Sequence, residues 1–298
     1  MSVKLSIVTP SYNQCAFLEE TLRSVISQRD QIHEYFVLDG GSTDGSVDLI
    51  RSYDSWIDYW DSGPDKGQSD AIHRGFKRCT GDYIFWLNSD DLLLPGALEE
   101  VHYALERNPQ WDVVTGYHVS MDQESRIKNA YRIPGESHAW AAAGILHVCQ
   151  PTCFFRRSLY EKLGGLDHSL HCVMDTDLWL RMLDSGSKWG HIPEYLAAFR
   201  KHADAKGISQ TWAKRYLQEG QNLSEKFGFW GATSIKHRMG KFLYRASQII
   251  SGRYLRATLD TARWRGRRVQ EVFGTFDISG PIPDKAGADS TGGGARVG

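Results

Sequence analysis

Residues 83–91 read Tyr-Ile-Phe-Trp-Leu-Asn-Ser-Asp-Asp. The five apolar residues have the length and composition of a buried strand, and the run stops in four polar residues. Two adjacent carboxylates at a strand end repel, each raising the other's pKa. A hard divalent cation removes that conflict, because it takes carboxylate oxygens together with phosphate oxygens and water. A helix cap before Leu92 would account for one of the acids, Asp90 or Asp91, but not for both.

Working outward, strand patterns alternate with helical ones. Lys4 to Thr9 reads as a strand stopped by Pro10, and Tyr35 to Leu38 as a second. Further strands are predicted near Ile57–Trp60 and over Asp112-Val-Val-Thr. Between them, Phe17, Leu18, Leu22, Val25 and Ile26 recur at helical spacing. Helices are also predicted from about Asp44 to Tyr53, from Ala71 to Arg78, and after Pro95 with Leu98, Val101 and Leu105 on one face. This alternation predicts an α/β fold with parallel pairing and right-handed crossovers. Ligands then bind beyond the carboxyl ends of the strands. The polar clusters sit at those ends: Pro10-Ser-Tyr12-Asn13, Asp39-Gly-Gly-Ser and Asn88-Ser89-Asp90-Asp91.

Asp39-Gly-Gly-Ser-Thr-Asp-Gly-Ser is rich in residues that turn tightly and expose backbone N–H groups. It serves equally as a plain β-to-α turn, except that Asp39 has no basic residue near it in sequence and can accept from a base or ribose. Gly63-Pro-Asp65-Lys-Gly-Gln-Ser-Asp70 is a third polar loop leading into a helix. In the second half, Tyr117 to Val148 is expected to be irregular, Cys153 to Arg156 a strand, and Ser158 to Leu163 a short helix. Asp175 to Leu183 reads as an amphipathic helix, Ile192 to Phe199 as extended, and Trp212 onward as helical.

The chain has 298 residues, 41% hydrophobic and 24% charged, an ordinary globular balance. Five cysteines with no C-x-x-C pattern favour reduced thiols and a cytoplasmic setting over a disulfide framework. No segment approaches the roughly 18–20 apolar residues of a membrane span, and the first residues lack the pattern of a signal peptide. The net charge of −1 hides an asymmetry: Lys236 to Arg268 holds ten Lys/Arg against one acid, Asp260. Residues 1–230 are therefore assigned to the α/β domain, 231–275 to a basic amphipathic helical extension, and 276–298 to a disordered tail. The extension could pack on the domain, mediate oligomerisation, or lie on an anionic membrane surface, at the inner face of the plasma membrane. No nucleic-acid partner is expected, since no recognised module accompanies the charge.

Thr9-Pro-Ser-Tyr-Asn, Asp39-Gly-Gly-Ser-Thr-Asp-Gly-Ser, Gly81-Asp-Tyr-Ile, Asn88-Ser-Asp-Asp and Asp175-Thr-Asp-Leu-Trp-Leu-Arg, in that order, resemble the family-2 glycosyltransferases over roughly residues 3–205. The resemblance implies a GT-A fold, Rossmann-like with a mixed central sheet, followed here by the helical extension. It also implies transfer of a hexosyl or N-acetylhexosaminyl group from a nucleotide-sugar, UDP-linked by the commonest usage, to a glycan or lipid-linked acceptor in cell-surface polysaccharide synthesis.

By position, Pro10, Tyr12 and Asn13 would line the nucleotide pocket. Asp39 would bond the base, and Asp65 and Asp70 the nucleoside or donor sugar. Asn88 and Ser89 belong to the donor site, with Asn88 standing where the family commonly has an acid. Asp90 and Asp91 would hold Mn²⁺ or Mg²⁺, with His202 reaching the metal or diphosphate. Asp175 would be the base that activates the acceptor hydroxyl, with Asp177 its alternative or its partner. A single inverting displacement follows from one base and one stabilised leaving group. Arg200 and Lys201 could neutralise the diphosphate or be solvated, and His138, Trp140 and His147 could contact a sugar or pack. The alternatives are a degenerate nucleotide-sugar-binding module and a sugar-1-phosphate nucleotidyltransferase. A dehydrogenase is disfavoured because no G-x-G-x-x-G follows the first strand.

Overall fold

The computed structural model describes residues 3–136, 140–141, 144–203, 210–228 and 235–278. Its centre is a mixed sheet. The strands are β1 (Leu5–Ser11), β2 (Glu34–Asp39), β3 (Tyr59–Ser62), β4 (Tyr83–Trp86), β5 (Leu92–Leu93), β6 (Val113–Met121), β7 (Ile127–Tyr131), β8 (Phe154–Arg156) and β9 (Trp189–Arg200). Their order is β3-β2-β1-β4-β8-β6-β9-β5, with β7 paired to β6. The expected parallel pairing holds for β1 to β4 and for β6 with β9, while β8 and β5 run antiparallel to their neighbours.

Successive strand residues face opposite sides, and both sides are covered. Ile7, Tyr35, Val37 and Phe85 pack under α1 (Cys15–Ile26), α2 (Ser46–Ser52) and α4 (Ala97–Arg107). Val8, Leu38, Ile84 and Trp86 pack under α3 (Gln68–Phe76), α5 (Arg157–Lys162) and α6 (Met174–Asp184). Trp86 stacks on Trp179 at 5.4 Å. Each such buried side chain contributes about 1.5–3 kcal/mol. Gly75 lets α3 lie flat on β1, since a Cβ there would come within 2.6 Å of Val8 Cγ1.

Two sequence expectations need correction. The first strand does not stop at Pro10; it continues to Ser11, with Pro10 opposite Leu38. The Val8 carbonyl accepts from Leu87 N–H on the β4 side. Pro10, two residues on, faces the same way, where pairing with β4 has already ended. Its missing N–H therefore costs no ladder bond. Nor is the whole stretch from Tyr117 to Val148 irregular: β6 runs to Met121 and returns as β7. Val119 and Met121 are core residues while His118 and Ser120 interrupt them, a period of two diluted by polar residues.

After β9 come α7 (Gln210–Lys226), α8 (Ile235–Ile250), α9 (Arg253–Trp264) and α10 (Val269–Phe273). Val269 and Phe276 are buried with Leu92, Val119 and Met121 in a third core cluster, and Ile278 packs on the first. Backbone bonds link Ile127 to Gly266 and Arg267, and Ser125 to Val269. Residues 264–278 thus pack and hydrogen-bond against the α/β unit. Residues 279–298, the rest of the expected tail, lie outside the described residues. Among the described residues no helix is long and apolar enough to cross a membrane.

Candidate active site

The loops after β1, β2 and β3 are stitched together by side chains. The buried Asp39 carboxylate accepts from Gly41 N–H (3.0 Å), Ser42 N–H (2.8 Å), Ser42 Oγ (2.5 Å) and Ser62 Oγ (2.7 Å). Asp39 is thus the clasp of the loop. Asn13, at a left-handed φ of 51°, accepts from Thr43 N–H through Oδ1 (2.9 Å) and donates its own N–H to Ser42 Oγ (2.8 Å). Asp44 accepts from Cys15 N–H and Ser46 N–H, at the starts of α1 and α2. Burial pushes the Asp44 carboxyl up, but these bonds and that from Ser46 Oγ outweigh it and hold the pKa below the usual value.

Tyr12 is 62% exposed. Tyr12 and Asp65 close on Gly40: a Cβ there would lie 3.2 Å from Tyr12 Cδ2 and 3.0 Å from Asp65 Oδ2, so ring and carboxylate approach this closely only because residue 40 has no side chain. Asp65 is fixed by Gly67 N–H (2.7 Å), and Asp70 accepts from Lys66 N–H (3.4 Å). An aromatic face beside a carboxylate acceptor is chemistry suited to a base and ribose.

Asp90 and Asp91 part company. Asp91 is fully buried and accepts from Arg200 N–H (2.8 Å) and Asn88 Nδ2 (3.5 Å). Burial, then the charge of Asp90, pushes its carboxyl well above the ordinary value, against the pull of Arg200. Asp90 instead meets the buried His202, whose Nε2 stands 2.9 Å from Asp90 Oδ2 and whose ring packs on Phe17 at 4.9 Å. Ser89 is buried between Asn88 and Asp90. Arg200 is neither solvated nor free for a diphosphate. Its guanidinium points inward to the Asp90 carbonyl (2.7 Å), the Gln123 carbonyl (3.0 Å), Ser125 Oγ (2.9 Å) and Glu20 (2.7 Å). Lys201, next to it, is exposed.

Asn88 is a hub. Its amide donates to Gln150 Oε1 (3.1 Å) and Asp91, and its carbonyl accepts from Gln68 Nε2 (2.7 Å). A carboxylate at this position could donate to neither and would set a third negative charge beside two. The next residue of α3, Ser69, donates to the Leu170 carbonyl (3.2 Å) and contacts Met174 Sδ (2.6 Å). The first turn of α3 therefore ties the Asp90 loop to the start of α6.

Asp175 lies inside the first turn of α6, after Val173 as the N-cap, and accepts from Thr176 N–H at 2.6 Å. The same turn's Asp177 is wholly buried between Arg181 Nε and Lys226 Nζ, both at 2.7 Å. That double ion pair makes it an anchor of α6 against α7. Sequence reasoning missed Glu219 of α7, which accepts from His171 N–H (3.1 Å), Cys172 N–H (2.8 Å), Val173 N–H (3.3 Å) and Arg215 (2.8 Å). Burial pushes Glu219 up, but these bonds prevail and lower its pKa. Its sole sequence signal was Arg215 four residues earlier, which reads as an exposed helical pair.

Toward the end of the Tyr117–Val148 stretch, His147 stacks on Tyr244 of α8 at 4.4 Å and Trp140 meets the same ring edge-on at 5.4 Å. Both pack, and they bring the extension against this segment. Glu136 accepts from His147 N–H (2.8 Å), while its Oε2 is buried without a hydrogen-bond partner among the described residues. His138 lies outside the described residues. Among the described residues no group of three or more His, Cys, Asp or Glu could hold a metal ion.

The sequence profile described as Glycosyl transferase family 2 matches residues 6–164. EpsE of Bacillus subtilis (strain 168), named for glycosyltransferase activity, is 27% identical over 208 residues, 68% of this chain and 74% of that protein. TuaG of the same organism, named as a glycosyltransferase of teichuronic acid biosynthesis, is 32% identical over 203 residues, 66% of this chain and 78% of that protein. Among solved structures, S. aureus TarS 1-349 in complex with UDP-GlcNAc superposes with a TM-score of 0.58 at 14% identity, covering 81% of this chain and 79% of that one. The mannosyltransferase PcManGT from Pyrobaculum calidifontis, in complex with GDP-Man and Mn2+, gives 0.55 at 18% identity, covering 76% and 65%. The fold is that of the GT-A glycosyltransferases.

Proposed function

The chain belongs to glycosyl transferase family 2, and from that premise we propose that it moves a hexosyl or N-acetylhexosaminyl group, with inversion, from a nucleoside diphosphate donor to a hydroxyl of a glycan or lipid-linked acceptor. It is a glycosyltransferase, with relatives named for polysaccharide biosynthesis. A UDP-sugar is the donor we infer; the neighbours' bound UDP-GlcNAc and GDP-Man support a nucleotide-sugar. The reaction belongs in the cytoplasm, at the inner face of the plasma membrane where the acceptor is lipid-linked.

One observation carries this reading. Hydrogen bonds and contacts run without a break from Asp91 through Asn88, Gln68 and Ser69 to Met174, beside Asp175. The acidic strand end and the start of the helix that carries Asp175 are thereby linked at the carboxyl end of the sheet, which supports a shared site. Pro10, Tyr12, Gly40, Asp65 and Asp70 form the nucleoside side. Asp39 and Asn13 hold those loops in place, and Asn88 and Ser89 form the floor under the donor sugar.

A divalent cation, Mn²⁺ or Mg²⁺, fits Asp90 and His202. A carboxylate oxygen and a ring nitrogen converge within 2.9 Å, and a cation held there would fill its remaining positions with phosphate oxygens and water. Bound there, the ion would stabilise charge on the departing diphosphate. Asp91 supports the strand end through the Arg200 N–H rather than joining Asp90 at His202. Asp175 takes the proton of the acceptor hydroxyl as that oxygen attacks the anomeric carbon, and the bond to the diphosphate breaks on the opposite face.

The test is nucleotide release and thermal shift with UDP-, GDP- and dTDP-sugars, in Mn²⁺, Mg²⁺ or EDTA. The expected result is stabilisation by one nucleotide class only with metal, lost in Asp90→Ala. Asp175→Asn should keep donor binding and lose transfer. Absence of nucleotide-sugar binding under every metal condition, or a product that retains anomeric configuration, would overturn the reading.

A further inference from the structure

Eight of the twelve large hydrophobic side chains exposed among the described residues fall between positions 239 and 259. On α8, Met239, Phe242, Leu243 and Ile250 recur at the i, i+3, i+4 spacing of one helical face. That face is in solvent: Phe242 is 70% and Ile250 86% exposed. The opposite face carries His237, Gln248 and Tyr244, which are turned inward. On α9, Leu255 and Leu259 are exposed in the same way, while Asp260 is drawn inward to Arg132 and Tyr195, both at 2.7 Å. Thr261 takes Ala130 N–H at 2.9 Å and Trp264 packs on Tyr195. Both helices are thus oriented with apolar stripe outward and polar groups inward, the reverse of a helix whose partner is its own core.

Charge decides what covers the two stripes. Arg238, Arg245, Arg256 and Arg263 are exposed beside them, and no ion pair to any of the four exists among the described residues. A second copy docking the same patch on itself would oppose guanidinium to guanidinium. Anionic lipid headgroups complement them, and the apolar side chains have the acyl boundary beneath. We propose that the α8–α9 hairpin is an interfacial anchor that lies flat on an anionic membrane, with Phe242, Leu243 and Leu255 inserted and the four arginines at headgroup level. Because Tyr244 of α8 packs on Trp140 and His147, the anchor adjoins the segment that leads to Gln150, the partner of Asn88. The proposal stands independently of the transfer chemistry.

The full chain is tested by flotation with vesicles of phosphatidylcholine alone and of phosphatidylcholine mixed with phosphatidylglycerol. The wild type is expected to float with the mixed vesicles only. A Phe242→Ser/Leu243→Ser/Leu255→Ser variant, and one with the four arginines changed to Gln, should each bind roughly tenfold or more weakly at an unchanged melting temperature. The anchor is refuted if the wild type stays with the unbound fraction, or if the serine variant floats like the wild type. It is equally refuted if light scattering finds a dimer that the serine variant makes monomeric and that does not float.

Discussion

His202 Nε2 stands 2.9 Å from Asp90 Oδ2, although 112 residues separate them in the chain. Asp91, adjacent to Asp90 in sequence, turns its carboxylate the other way, into the backbone of β9. One of the paired acids faces the site and the other holds up its floor, so their replacement should have different consequences. Asp90→Asn is expected to cut metal-dependent turnover by about a hundredfold or more with little loss of stability. Asp91→Ala leaves the buried Arg200 N–H without its acceptor and should cost about 1–3 kcal/mol of folding free energy, read from urea denaturation. Equal effects of both on turnover, without a stability difference, would contradict this division.

Gly40→Ala places a methyl group 3.2 Å from Tyr12 Cδ2 and 3.0 Å from Asp65 Oδ2 and so pushes ring and carboxylate out of place. A rise of roughly tenfold in donor KM, with kcat within about twofold, is the expected signature of lost binding without lost chemistry. A donor titration that superimposes on the wild type would show that Tyr12 and Asp65 do not contact the donor.

Glu219 positions Asp175 by gathering three backbone N–H groups just before α6. Glu219→Gln removes the charge that makes those bonds strong and should destabilise the protein by about 1–2 kcal/mol. Because the helix start loses definition, kcat should fall while donor KM holds. A variant with altered donor KM and normal kcat would place Glu219 in donor binding instead.

Burial pushes the Glu136 carboxyl up to about 7, against the His147 N–H bond. A carboxyl whose folded pKa is raised favours folding while protonated, below its ordinary value of 4.5, and that contribution is lost as pH rises through 7. Compared with Glu136→Gln, the wild type should therefore match in stability near pH 4.5 and fall behind by roughly 1–3 kcal/mol at pH 8. Parallel stability curves across that window would show that Glu136 ionises as an exposed acid does.

Much of this was legible before the structure. Runs such as Tyr83 to Leu87 could be placed in strands because local periodicity and composition report burial directly. The polar clusters after them could be placed at one sheet end because chain direction in a parallel sheet is fixed by topology. What was misread has a common cause. Arg200, Asp177 and Glu219 are charged residues whose partners come from distant segments: Glu20 lies 180 residues from Arg200, and Lys226 lies 49 from Asp177. Charge in a sequence reads as solvent exposure unless the partner is known. β7 escaped notice because it is half polar: Ile127 and Ala130 join the third core cluster, while Lys128 and Asn129 between them are not buried.

The sequence by itself determined the α/β class, the end of the sheet where the chemistry gathers, and the residue types available there, because these depend on short-range pattern. Only the tertiary structure decided that Asp90 rather than Asp91 faces His202, that Asp39 clasps a loop, and that α8 and α9 turn their apolar stripes outward. Those outcomes depend on which distant groups meet, and the free energy of a buried charge or an exposed apolar face is set by its neighbours, not by its own identity.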